Sequence, residues 1–188
     1  MKVPVLPLLA AIVLVEAACT PARPPGVVPV VLHGTDGTHV TLDEALRLHR
    51  FTVIVFFSAH CPCQRTHDAR LLELMAKDGP SDVGFLVVDS EESSTLAGDA
   101  AEARNRGYPI MLDEKGTLAR ALDAEYATYS VLVDHDGHML YRGGFDSDKS
   151  HLRENRATYL ADAIEDALAN RPLRRAEAKT LGCTLQVR

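Results

Sequence analysis

Residues 51–57 read Phe-Thr-Val-Ile-Val-Phe-Phe, a nearly continuous run of β-branched and aromatic side chains. Such runs mark a central strand buried on both faces. A second run at 83–88, apolar apart from Gly84, predicts a neighbouring strand, and Tyr-Pro-Ile-Met-Leu at 108–112 predicts a third. Between them, 62–77 reads as a helix with Leu71, Leu72, Leu74 and Met75 at core spacing, and the polar, Ala-rich 94–106 as another. Upstream, 27–32 is a short apolar strand that Pro29 marks as an edge. Gly-Thr-Asp-Gly at 34–37 is a turn, and Thr41 with Glu44 makes a capping box for a short helix ending near His49. Downstream come a short helix at 118–122, a hairpin of 130–133 and 139–142 across Asp134-His135-Asp136-Gly137, and a long helix over 154–169. A basic, irregular tail follows. Strands alternating with helices give a parallel sheet to which the hairpin adds an antiparallel edge. The expected fold is therefore α/β: a central mixed sheet flanked by helices, with an N-terminal strand extension and a C-terminal tail.

The N-terminus forms a separate unit. Met1-Lys2 precedes an apolar run over 3–15, the length of a signal-peptide core and too short for an ordinary membrane span. Ala17-Ala18-Cys19 then resembles a bacterial lipobox, in which Cys19 takes the lipid; Glu16 departs from that pattern, and ordinary signal cleavage after Ala17 or Ala18 and an uncleaved anchor are the alternatives. The division expected is a signal over 1–18, a Pro-rich linker over 19–26, a domain over 27–170 and a tail over 171–188 that carries Cys183. All three readings place the domain outside the cytoplasm, in a bacterial cell envelope or periplasm, attached to the membrane where Cys19 carries lipid or the anchor is kept.

Composition narrows the function classes. The chain has 188 residues, 46% of them hydrophobic and 24% charged, which suits one ordinary domain with short tails. A net charge of −6 argues against a nucleic-acid partner, since such proteins show a basic stripe. Arg171, Arg174 and Arg175 read as a solvated helix end. Of the four cysteines, lipidation consumes Cys19 and leaves Cys61, Cys63 and Cys183. Three cysteines cannot all pair within one exported domain, and an odd thiol in an oxidising compartment points to redox exchange.

Cys61 and Cys63 lie where the predicted central strand runs into a helix, the edge at which open α/β sheets bind ligands. Cys61 takes the helix cap and Pro62 the first turn, where Pro is well tolerated. Free N–H groups and a partial positive charge there favour thiolate over thiol, so Cys61 is the candidate attacking sulfur. His60 or His67, if close and protonated, would act in the same direction. Cys63 or the more distant Cys183 resolves the intermediate. If the tail folds back over the sheet edge, Cys183 reaches the pair as a third redox cysteine; otherwise it is a small buried side chain that pins the tail. A soft-metal site built from Cys61, Cys63, His60 and His67 is the alternative use of these residues.

Four segments carry a resemblance to a known group: 53–63, 107–114, 131–143 and 181–185, with Val-Ile-Val-Phe-Phe-Ser-Ala-His-Cys-Pro-Cys the most telling. Together they resemble the redoxin, peroxiredoxin-like branch of the thioredoxin superfamily over about 28–187. The resemblance implies a thioredoxin-like fold and thiol–disulfide exchange with protein or small-molecule thiols and disulfides, by redox-active cysteines and no organic cofactor. Thiol-dependent peroxidase activity and copper delivery are the alternatives within that superfamily. The chain departs from its relatives in three places. Only Pro62 separates the two cysteines; Thr128 stands where the superfamily usually has a cis-proline; and Ser58 and Ile54 stand where peroxiredoxins carry a Thr and a Pro. Tyr126 and Tyr129 shape a substrate groove or cover the core. Arg142 is expected to pair with Asp146 or another carboxylate. His135 and His138 belong to a turn, and His33, His39, His49 and His151 to the surface.

Overall fold

Strand β3 (Phe51–Phe57) is buried at every position, which follows from its having sheet on both sides and helices over both faces. A computed structural model describes residues 29–149, 151, 153–180 and 182–187. The signal, the Pro-rich linker and Cys19 lie outside those residues. Eight strands form one sheet in the order β2-β1-β5-β4-β3-β6-β7-β8. They are β1 (Val31–Gly34), β2 (His39–Thr41), β3, β4 (Val83–Asp89), β5 (Met111–Leu112), β6 (Ser130–Asp134), β7 (Met139–Gly143) and β8 (Glu177–Ala178). Strand β3 is parallel to β4, from Phe51↔Val83 to Phe57↔Asp89, and antiparallel to β6. The helices are α1 (Leu42–Arg47), α2 (Pro62–Asp78), α3 (Leu96–Arg106), α4 (Thr117–Ala121) and α5 (Tyr159–Leu168).

Alternation along β3 divides the interior in two, because successive side chains point to opposite faces. Ile54 and Phe56 pack with Leu42, Leu46 and Leu118 of α1 and α4. Val53, Val55 and Phe57 pack with Leu71 and Leu74 of α2 and with Leu160 and Ile164 of α5. This is the mixed, helix-flanked sheet of the thioredoxin-like class.

Four details differ from the sequence reading, each for a physical reason. Strand β1 is not an edge: Pro29 precedes it, outside the ladder, and β1 pairs with β2 on one side and β5 on the other. Leu72 is 37% exposed, since the buried face of α2 passes through Leu71 and Leu74 instead. Helix α5 begins at Tyr159, not 154, because the preceding loop is pinned by side chains: Asp148 accepts the Arg153 N–H and Ser147 the Ala157 N–H. Beyond α5, Arg171 and Arg174 clasp Asp166 and Glu165, and Glu177–Ala178 joins β7 as a parallel strand, so the tail is not irregular throughout. Arg142 pairs with carboxylates as expected, those of Glu177 and Asp123, while Asp146 is taken by other partners.

Candidate functional site

The site begins where β3 ends. Ser58 and Ala59 leave the sheet, His60 is exposed, and Cys61 caps α2 in extended conformation (φ −86, ψ 115). Pro62 follows in the first turn, exposed, with its ring in place of an N–H that a helix start leaves unpaired anyway. Cys61 and Cys63 are joined by a disulfide with their Cα atoms 5.4 Å apart. Both are 2% exposed and pack into the apolar cluster beneath the sheet edge.

Cys183 covers this pair. Its Sγ lies 2.6 Å from Cys61 Sγ and 3.7 Å from Cys63 Sγ, although 122 residues separate it from Cys61. It is a free, partly exposed cysteine. Backbone pairing holds it there. The Ala127 N–H donates to the Cys183 carbonyl (2.8 Å), the Leu185 N–H to Glu125 (3.0 Å) and the Glu92 N–H to Gln186 (2.7 Å). Tyr126 and Thr184 form an antiparallel bridge, as do Glu91 and Val187. Residues 183–187 thus lie between the loop before β6 and the segment after β4, bridged to each, with Leu185 buried. Gly182 makes the close approach possible: a Cβ there would stand 2.7 Å from both the Ala127 carbonyl oxygen and the Tyr126 ring.

Thr128 is buried at φ 72, with its N–H donated to Phe56 and its carbonyl accepting from the Ser130 hydroxyl. A proline would lose that N–H and is locked near φ −65°, so the loop is built for a residue other than proline. Tyr126 and Tyr129, stacked edge to face at 5.3 Å, do both jobs the sequence left open. They join the core cluster and line a groove of about 780 Å³ beside Gly182 and Thr184.

The two histidines of the soft-metal alternative, His60 and His67, are not among the donors that converge at the cysteine pair. His60 is exposed. His67 is buried with both ring nitrogens engaged, Nδ1 at 2.8 Å from the Cys63 carbonyl and Nε2 at 3.1 Å from Asp146. The soft donors that converge are instead the three sulfurs of Cys61, Cys63 and Cys183, all within 4.8 Å of one another. His67 belongs to a buried network. Arg70 bridges Asp146 and Asp148, whose side chains are all but inaccessible. Burial pushes the Asp146 carboxyl up, but the His67 and Asp148 N–H bonds and the Arg70 charge hold it below the usual range. This network fixes the first turns of α2 to the loop before α5.

One residue near the site escaped the sequence reading. Glu91, 6% exposed, accepts the Ser58 hydroxyl at 2.9 Å and pairs through its backbone with Val187. Its only sequence signal is an acid just past a buried strand. Beside it, Asp89 has its carboxyl pushed up to about 8, by burial foremost and, against the Glu91 N–H it accepts, by the Asp99 and Glu91 carboxylates.

Comparison with known proteins agrees with this architecture. An uncharacterized conserved protein from Geobacillus kaustophilus superposes with a TM-score of 0.77 at 23% identity, covering 86% of this chain and 90% of its own. The exposed lipoprotein thioredoxin of Streptococcus pneumoniae gives 0.57 at 17% identity, covering 76% and 99%. Peroxiredoxin Q of Xanthomonas campestris gives 0.54 at 16% identity, covering 79% and 93%. At these identities the likeness is one of fold. No curated protein matches the chain in sequence. The Redoxin family model matches residues 20–159, from the Pro-rich segment through β3, both helix-cap cysteines and the hairpin to the start of α5, and on that match the chain belongs to the Redoxin family.

Proposed function

We propose that this protein is a thiol–disulfide oxidoreductase that works through Cys61-Pro62-Cys63 on protein or small-molecule thiols and disulfides. One observation carries the reading: Cys61 is the cap of α2, directly after the central strand, and is bonded to a second cysteine in the first helical turn. Unpaired N–H groups at a helix start stabilise an adjacent thiolate, which makes Cys61 both a good leaving group and a good attacking sulfur near neutral pH. Two cysteines suffice for a two-electron exchange, so the activity needs no organic cofactor. Peroxide reduction is less well supported, because Ile54 stands at the peroxiredoxin Pro position, while Ser58, at the Thr position, donates its hydroxyl to Glu91. The test is reduction of insulin with dithiothreitol as electron source. Cys61→Ser is expected to lose at least about 100-fold in rate while keeping its circular dichroism spectrum, and a folded variant as active as wild type would refute the reading.

A second reading has its own observation, the three converging sulfurs, which suit a soft ion such as Cu(I) once the disulfide is reduced. Titration of the reduced protein with Cu(I) against a chelator separates the two. Stoichiometric tight binding with no insulin turnover favours metal handling over catalysis. Export, with or without lipid on Cys19, remains part of the proposal. Incorporation of labelled palmitate that vanishes in Cys19→Ala is the expected result, and labelling that survives the substitution would refute lipid on Cys19.

A further inference from the structure

Cys61 and Cys63 are the redox couple of the reading above, yet they are 2% exposed, sealed under the C-terminal segment. We infer that Cys183 is the sulfur that meets the partner, and that the buried pair exchanges electrons with the outside only through it. The inference rests on the oxidoreductase reading and adds an order of events to it.

Two observations point this way, the exposure of Cys183 and its distances to the pair. Cys183 is the partly exposed member of the trio. The residues on either side of it, Gly182 and Thr184, line the groove of about 780 Å³ that Tyr126 and Tyr129 also wall. Cys183 does not itself line that groove; its own partial exposure, against 2% for Cys61 and Cys63, makes it the first sulfur a partner meets. On its inner side Cys183 stands 2.6 Å from Cys61 and 3.7 Å from Cys63, so Cys61 is the sulfur through which tail and pair communicate. The three sulfurs form a bent triad, and rotation of a cysteine side chain completes the alignment that exchange requires.

The chemistry closes without any further reagent than a partner dithiol. In the oxidised protein, the Cys183 thiolate attacks Cys61 Sγ. The Cys61–Cys183 bond forms, the Cys61–Cys63 bond breaks, and Cys63 leaves as thiolate. One thiolate of the partner then attacks the exposed Cys183, and Cys61 leaves. The partner's second thiolate attacks its own mixed-disulfide sulfur and frees Cys183. Two electrons and two protons have passed from the partner to Cys61 and Cys63, and the partner holds the new disulfide. The same steps in reverse reduce a partner disulfide.

The experiment uses the oxidised full chain and a reduced two-cysteine peptide, acid-quenched at early times and mapped by mass spectrometry. The expected first adduct joins the peptide to Cys183; a peptide found on Cys61 with Cys183 free overturns the inference. As a second measurement, Cys183→Ser is expected to retain the Cys61–Cys63 disulfide yet oxidise the peptide at least about 10-fold more slowly, and a wild-type rate overturns the relay while leaving the oxidoreductase reading intact. A wild-type protein that exchanges with neither the peptide nor dithiothreitol overturns both.

Discussion

Gly182→Ala tests how the tail is held. The added methyl would lie 2.7 Å from the Ala127 carbonyl oxygen, which is backbone and cannot rotate away, and as close to the Tyr126 ring. Overpacking of this kind costs about 1–3 kcal/mol, against a gain of about 0.4–1 kcal/mol from a stiffer unfolded tail. The tail is attached by a few backbone hydrogen bonds, each worth about 0.5–1.5 kcal/mol net, and by the buried Leu185, worth about 1.5–3 kcal/mol before ordering costs. The strain is of the same size as the attachment, so it is relieved by lifting the tail and leaves the core alone. A net cost of about 1–2 kcal/mol multiplies the lifted population by about 5 to 30. Amide hydrogen exchange reads this directly. Ala127, Leu185 and Glu92, whose N–H groups make the tail bonds, should exchange about 5- to 30-fold faster, while Val53 and Val55 in β3 keep their protection. Unchanged exchange at those three amides would refute the close-approach argument. Equal acceleration in β3 would show that Gly182 acts on the whole fold.

Asp89→Asn should flatten the pH dependence of stability. Its carboxyl is held near 8 in the fold against about 3.9 when unfolded, so the native state keeps a proton that the unfolded chain releases. Stability is then fully present below about pH 4 and falls by up to about 1.4 kcal/mol per unit as pH rises toward 8. Urea melts at pH 5 and 8 should show this loss in wild type and less of it in the variant; identical slopes would refute the assignment. Arg70→Met should destabilise by about 3–5 kcal/mol, because it strands Asp146 and Asp148 in the interior with one fewer counter-charge. A urea midpoint that moves by less than the equivalent of about 1 kcal/mol would mean the remaining arginines compensate.

Elements specified by their own residues were readable from the chain. Phe51–Phe57 declares its burial in every position, Thr41 and Glu44 form the capping box the spacing requires, and Gly137 closes the hairpin turn at φ 87. What could not be read depends on residues distant in sequence. The start of α5 is set by Asp148 and Ser147, which compete for the backbone of 153–157. His67 looked available because its helical position beside Cys63 is local, whereas the Asp146 that occupies its ring lies 79 residues away. The cysteine pair followed from its place at a strand-to-helix junction. The meeting of Cys183 with that pair is fixed by main-chain pairing with residues 125–127, and main-chain pairing leaves little trace in side-chain pattern.

The strand order has a consequence for how this protein behaves among its own copies. An open sheet is a template at its two rims, where unpaired main-chain groups can recruit a strand from another molecule. Among the described residues the rims are β2, of three residues, and β8, of two. The long, apolar β3 and β4 each have at least three strands on either side of them, the rim strand included, and are paired on both sides. A neighbouring chain thus finds only a few outward-facing amides at either end, too few to nucleate a ladder. The folded domain resists edge-to-edge growth even though its centre is built from strongly β-forming sequence, and the hazard is confined to the time before the rims have closed.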